Sequence, residues 1–219
     1  SQAESAERMG IAMSMVENYI LTKEAVKEYL HHLNNKGGIL YISRPETQIP
    51  KLITTLKEAR LENSGGLEDS KNCFIIFRRP PNDFEGDKSF LAGVLYKKDG
   101  FTPEEILKIR EESSSLSLDL LYDPLTESES FYKTLIESDN FRSLAGREGV
   151  TDATLEPATD DKPFFDQNIG FGNLTMKGIS ETFSQDDKAI LALKDKPVAE
   201  TSLIVILIQT LLTAFAFLI

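Results

Sequence analysis

The order of apolar and polar residues predicts a helix that runs into a strand between Tyr19 and Arg44. Leu21 and Val26 flank Thr22 at the spacing of a hydrophobic staple, so Thr22 is the expected N-cap of the helix. Apolar residues then recur at helical spacing and predict one buried stripe: Val26, Tyr29, Leu30 and Leu33.

The helix should stop at residues 34–38, because asparagine and glycine accept the left-handed conformation common at helix ends. The run Ile39–Ile42 follows at once and is apolar on both faces, as an inner strand of a helix-covered parallel sheet is. A parallel crossover needs a strand before it, and Ser1–Val16 predicts none. We therefore expect this chain to be the C-terminal part of a larger protein.

Further elements follow in the order helix, strand, strand, helix, strand, helix. Their predicted positions are Ile49–Leu61, Cys73–Phe77, Phe90–Tyr96, a helix starting at Thr102-Pro103, Leu116–Tyr122 and Phe131–Ile136. The short connection between the second and third strands predicts an antiparallel hairpin. The expected fold class is α/β, with a sheet whose last two core strands form that hairpin, as at the end of some doubly wound domains.

Composition narrows the function classes. The chain has 219 residues and a formal net charge of −11, which argues against nucleic-acid binding because phosphates attract a surplus of lysine and arginine. Such a charge fits a cationic substrate, but composition alone favours the simpler interpretation, a solvated acidic surface. Cys73 is the single cysteine, and the adjacent His31 and His32 would point in different directions on a helix, so we expect no metal site.

The C-terminal run Leu203–Ile219 is almost wholly apolar. As a helix it would reach about 26 Å, the short end of a bilayer crossing. We expect a transmembrane helix there, cut short or complete; a buried core helix is the alternative. Lysines 188, 194 and 196 precede the run and favour a cytoplasmic position for the domain before it.

One loop carries candidate chemistry. Asp160 and Asp161 lie in a proline-bounded loop beside Phe164 and Phe165, and carboxylates next to aromatic rings can hold an ammonium ion. The alternative is that Asp160 caps a turn while the phenylalanines fill the edge of the core. Glu17 is a further candidate carboxylate, with a solvated helix-entry glutamate as its alternative.

Several stretches together resemble spermidine synthase-like domains of bacterial multi-pass membrane proteins. The stretches that carry the resemblance are Glu17–Thr22, Tyr29–Leu30, Gly37–Arg44, Phe101–Glu105, Pro157–Phe165 and Pro197–Leu207. They occur in the family's order and span most of the chain, with Lys162 where arginine is common. The resemblance implies an S-adenosylmethionine-type Rossmann fold and aminopropyl transfer from decarboxylated S-adenosylmethionine to a diamine.

The resemblance also implies that the cofactor loop and the catalytic residues lie upstream of Ser1, so the catalytic residues are unknown here and the chain alone should be inactive. The residues left to bind the amine substrate are Glu17, Tyr19, Asp160 and Asp161. The expected division is a partial Rossmann-like domain at 1–155, a closing loop and linker at 156–201 and a transmembrane helix at 202–219.

Two other functions fit the same pattern. A methyltransferase would use intact S-adenosylmethionine with a different acceptor, and a non-catalytic domain would bind a ligand or organise a membrane assembly. The expected partners are a small cationic amine and a lipid bilayer through residues 203–219. An open sheet edge would also invite pairing into a homo-oligomer.

Overall fold

The computed structural model describes residues 18–64, 70–79, 91–147, 150, 152–166, 176 and 198–218. These residues form a mixed α/β structure around a four-stranded sheet of order β1-β3-β2-β4. Its strands are β1 (Ile39–Pro45), β2 (Phe74–Arg79), β3 (Leu91–Lys97) and β4 (Asp119–Tyr122). The helices are α1 (Lys23–His32), α2 (Ile49–Ser64), α3 (Pro103–Ser115), α4 (Phe131–Glu137), α5 (Asp152–Leu155) and α6 (Val198–Leu218).

Helix ends follow the signals in the sequence. The Thr22 side chain accepts a hydrogen bond from the backbone N–H of Ala25 and caps α1, as predicted. Thr102 and Glu105 form a complete capping box at the start of α3, with Pro103 in its first turn. Gly37 has a φ of 75° in the turn between α1 and β1, where a side chain would be strained.

One face of the sheet, which we call the covered face, packs against α1 and α2. Leu40 and Ile42 point to this face from β1, and the larger buried side chains Ile76, Val94 and Tyr96 continue it across β2 and β3. They join one apolar cluster with the inner residues of the two helices: Val26, Leu30, Ile49, Leu52, Ile53, Leu56 and Ala59. Val26 and Leu30 of the stripe predicted for α1 therefore lie in the main core, whereas Tyr29 is 37% exposed and Leu33 lies outside that cluster.

The opposite face, which we call the open face, is only partly covered. Phe101 and Ile106 of the α3 region pack on Ile75 in a second, smaller cluster. Toward β1, the side chains of Ile39 and Tyr41 are 45% and 55% exposed. The Tyr41 and Phe77 rings stack at 6.0 Å between centroids.

The sheet corrects the prediction for Ile39–Ile42. All strand pairings among the described residues are antiparallel, and β1 lies at an edge of this sheet with alternate residues exposed. The expectation of an inner strand in a parallel sheet is therefore wrong for the described part of the chain. A four-residue apolar run cannot distinguish a strand buried on both faces from an edge strand with a half-exposed face. The predicted hairpin is confirmed: β2 and β3 pair antiparallel from Phe74↔Tyr96 to Arg79↔Leu91.

The apolar C-terminal run is helical within α6, and most of its described side chains are exposed, with Phe217 at 89%. Among the described residues, which for side chains in α6 are 201–217, no helix combines the length and apolarity of a membrane span. The transmembrane helix expected at 202–219 is therefore not supported by the structure. The preceding lysines 188, 194 and 196 lie outside the described residues.

Candidate functional site

Backbone hydrogen bonds join the start of the described chain to the acidic loop. The Asn18 N–H donates to the Pro163 carbonyl oxygen at 2.6 Å, and the Lys23 N–H donates to the Ala158 carbonyl oxygen at 2.8 Å. A Glu24 carboxylate oxygen accepts from the Asp160 N–H at 3.1 Å. Two stretches far apart in sequence therefore form one surface region, which we call the acidic turn region (18–24 with 158–163).

The loop itself is a tight turn. Thr159 and Lys162 pair in an isolated bridge, with backbone N···O distances of 3.4 Å and 2.9 Å. Asp160 and Asp161 occupy the two central positions and are exposed. The turn therefore presents both carboxylates to solvent, and Glu24 adds a third carboxylate beside them.

Tyr19 lies in the same region, in the one-turn helix Tyr19–Leu21 that precedes α1, and its side chain is 52% exposed. The Thr22 hydroxyl donates to the Tyr19 carbonyl oxygen at 3.1 Å, which ties that turn to the helix start. Tyr19 therefore lies on the segment that contacts the loop carrying Asp160 and Asp161, and the substrate-binding role expected for these residues stays a prediction. Glu17 lies outside the described residues.

The two phenylalanines do not form an open aromatic wall. Phe165 is fully buried in the main core, and its ring faces cations of the protein itself: Arg44 at 5.6 Å and Lys51 at 6.0 Å. Phe164 is half-buried. The expectation that both rings line an ammonium site is therefore wrong for Phe165, which fills the core as the structural alternative predicted.

The charges near the turn leave it negative. Lys23 binds Glu62 at 2.7 Å, and that hydrogen bond raises the pKa of Lys23 and lowers the pKa of Glu62. The Lys23 ammonium group, which neighbours Glu24 in sequence, is therefore paired with the Glu62 carboxylate of α2. Lys162 is the cation within the turn; it is 74% exposed and lies 4.0 Å from Glu156.

Sequence reasoning missed the groups that anchor the far side of the loop. Asp166 binds Arg44 of β1 at 3.0 Å, with the Asp166 side chain 5% exposed and that of Arg44 19% exposed. Buried Lys51 also approaches the Phe164 carbonyl oxygen at 3.5 Å. Arginine at the end of an otherwise apolar strand was the available signal, since a charge placed there needs a partner.

A second polar cluster closes the same end of the sheet. Arg78 of β2 binds both Glu46 at 3.2 Å and Asp119 at 2.9 Å, and the Tyr132 hydroxyl donates to Glu46 at 3.2 Å. The charged and polar side chains of this cluster thus have their ion-pair and hydrogen-bond partners within it. They hold α4 and β4 to the ends of β1 and β2, and we assign them a structural role.

Within the described ranges, no group of three or more histidine, cysteine, aspartate or glutamate side chains could hold a metal ion. Comparisons with known protein families, with curated proteins and with solved structures find no match for this chain.

Proposed function

We propose that this chain is the C-terminal part of a spermidine synthase-like transferase, attached to a membrane and with its soluble domain in the cytoplasm. In this proposal the acidic turn region binds a small cationic amine, and decarboxylated S-adenosylmethionine is the co-substrate. The observation that carries the proposal is the contact of residues 18–24 with the Asp160–Asp161 turn.

The charge arrangement supports an amine ligand. A diamine carries two positive charges at neutral pH, and the turn offers the carboxylates of Glu24, Asp160 and Asp161 within one exposed region. Charge-assisted hydrogen bonds from ammonium to carboxylate are among the stronger polar contacts in proteins. The exposed position keeps each contact modest, so binding should weaken as salt is added.

The strand directions support the proposed fold. β1 and β2 each pair antiparallel with β3, which lies between them, so β1 and β2 run in the same direction. Two parallel strands separated by one antiparallel strand of a hairpin are a fitting end for a doubly wound sheet.

The reaction sets the limits of what this chain could do alone. Aminopropyl transfer forms a carbon–nitrogen bond to the amine and breaks a carbon–sulfur bond, whose electron pair returns to sulfur. The attacking amine must first lose a proton to a base within hydrogen-bond reach. We assign no residue of this chain to that role and place the catalytic residues upstream of Ser1, so the chain binds the amine without converting it.

The proposal includes membrane attachment through residues 203–219. It rests on the apolar sequence and on the exposure of large side chains along α6, such as Leu212 at 65%. Exposed apolar side chains of this kind favour a nonpolar environment.

The test is a turnover assay on the full-length protein that carries this chain. We expect spermidine from decarboxylated S-adenosylmethionine and putrescine, detected by mass spectrometry, and no product from the present chain. A methylated amine from intact S-adenosylmethionine would replace the proposal with a methyltransferase. If the full-length protein showed no turnover and bound no amine, the result would contradict the proposal and favour a non-catalytic domain.

A further inference from the structure

The Arg44–Asp166 pair connects the acidic loop to the sheet. Asp166 follows the exposed turn by four residues, and its nearly buried carboxylate accepts a hydrogen bond from Arg44 at 3.0 Å. The Arg44 guanidinium also lies 5.6 Å from the centre of the buried Phe165 ring. A residue at the edge of the sheet therefore contacts two successive residues of the loop.

The loop is anchored on both sides of the exposed turn. On one side, Pro157 and Ala158 are buried and the Ala158 carbonyl accepts from Lys23. On the other side, Pro163 is buried and its carbonyl accepts from Asn18. The Arg44 contacts lie beyond that second anchor, at Phe165 and Asp166, where they attach the C-terminal end of the loop to β1.

We infer that Arg44, acting through Asp166, is a positioning residue that holds the Asp160–Asp161 turn against Glu24 and so presents its carboxylates to an amine. This inference rests on the proposed function for the amine, but the holding of the turn is a property of the chain alone. Loss of the pair frees the far end of the loop, and the Asp160 N–H then leaves the Glu24 carboxylate.

The first test measures the turn without any ligand. The double variant Arg44→Met with Asp166→Asn removes both charges together, so no buried charge is left without a partner. Amide hydrogen exchange in residues 157–163 should rise about tenfold through local opening, while exchange in β3 stays unchanged. Unchanged exchange in 157–163, or an equal rise in β3, would overturn the inference.

The matched control uses a second arginine–aspartate pair with a buried carboxylate, which lies away from the acidic loop in sequence. Arg110 binds Asp123 through two hydrogen bonds of 2.9 Å and 2.8 Å, and the Asp123 side chain is 1% exposed. The double variant Arg110→Met with Asp123→Asn should leave exchange in residues 157–163 as in the wild type. A rise there as large as that caused by the Arg44 variant would overturn the inference.

The second test measures amine binding with putrescine as the probe. The dissociation constant for putrescine should rise about fivefold in the double variant Arg44→Met with Asp166→Asn. It should rise less in the single variant Arg44→Lys, because lysine keeps the positive charge of residue 44. Equal affinity in all three proteins would overturn the inference. A wild-type chain that binds no putrescine would instead refute the proposed amine site, and the exchange measurement alone would then decide whether Arg44 holds the turn.

Discussion

The two faces of the sheet come from the same alternation of residues, yet they differ in how they are used. On the covered face, Ile42, Val94 and Ile76 form one row beneath α1 and α2. On the open face, Tyr41 and Phe77 stack over Gly93 with more than half of the Tyr41 side chain exposed. Each face thus has its own environment, although every strand contributes to both.

The candidate chemistry belongs with the covered face. Arg44 points to that face from β1, and Phe165 of the acidic loop lies in its apolar cluster. The loop is therefore attached to the best-packed part of the molecule, whereas the open face carries exposed apolar side chains and no group that we assign to amine binding. A rigid base is what a binding turn needs to keep its carboxylates in place.

The largest expected contrast comes from one isoleucine on each face. Ile76→Ala on the covered face should cost about 2–5 kcal/mol, because the side chain is fully buried and its removal leaves a cavity. Ile39→Ala on the open face should cost about 0.5 kcal/mol, since that side chain is already 45% exposed. Urea unfolding measures both changes in the free energy of unfolding, provided that the m-value is unchanged by the substitution. Equal losses of stability would contradict a difference in packing between the two faces.

A smaller contrast comes from adding volume to neighbouring residues of β3. Ala92 is buried on the covered face, so Ala92→Val should cost about 1–3 kcal/mol through overpacking. A methyl group on Gly93 would lie 2.6 Å from Phe77 and 2.8 Å from Tyr41, but on the open face these rings can move aside. Gly93→Ala should therefore cost about 1 kcal/mol or less, measured in the same urea series. A larger loss for Gly93→Ala than for Ala92→Val would mean that the open face is packed as tightly as the covered one.

A pH effect is expected from the helix layer over the covered face. The Lys57 ammonium of α2 donates to three carbonyl oxygens at the end of α4, those of Leu135, Ile136 and Ser138, at 3.0, 2.7 and 2.7 Å. Burial lowers the pKa of Lys57 to about 8, although the negative charge of Asp139 acts to raise it. The unfolded chain then binds more protons than the folded one between pH 8 and the ordinary lysine value of 10.5, so this group makes stability rise with pH across that window.

Thermal unfolding between pH 7.5 and 10.5 measures this effect as the difference between the wild type and Lys57→Met, in which the titrating group is absent. The wild type should gain stability relative to the variant as the pH rises. A relative loss of stability with rising pH would show that the three carbonyl contacts outweigh burial, and that Lys57 is bound more tightly as a cation.

Local signals predicted the elements better than their arrangement. The cap at Thr22, the capping box at Thr102 and the β2–β3 hairpin depend on neighbouring residues, and all three were found as predicted. The place of β1 in the sheet depends on residues far along the chain, so the run Ile39–Ile42 could not reveal an edge strand. For the same reason the sequence placed Tyr19 and the Asp160 loop in one region only by resemblance, and the Arg44–Asp166 pair was not foreseen.

The most direct test of the central claim is a nitrogen-15 NMR titration of this chain with putrescine. The account predicts shifts of the backbone amides in residues 18–24 and 158–163, their loss in the Asp160→Asn, Asp161→Asn variant, and no shifts at Tyr41 or Phe77. Shifts confined to the open face, or none anywhere at millimolar putrescine, would contradict an amine site in the acidic turn region.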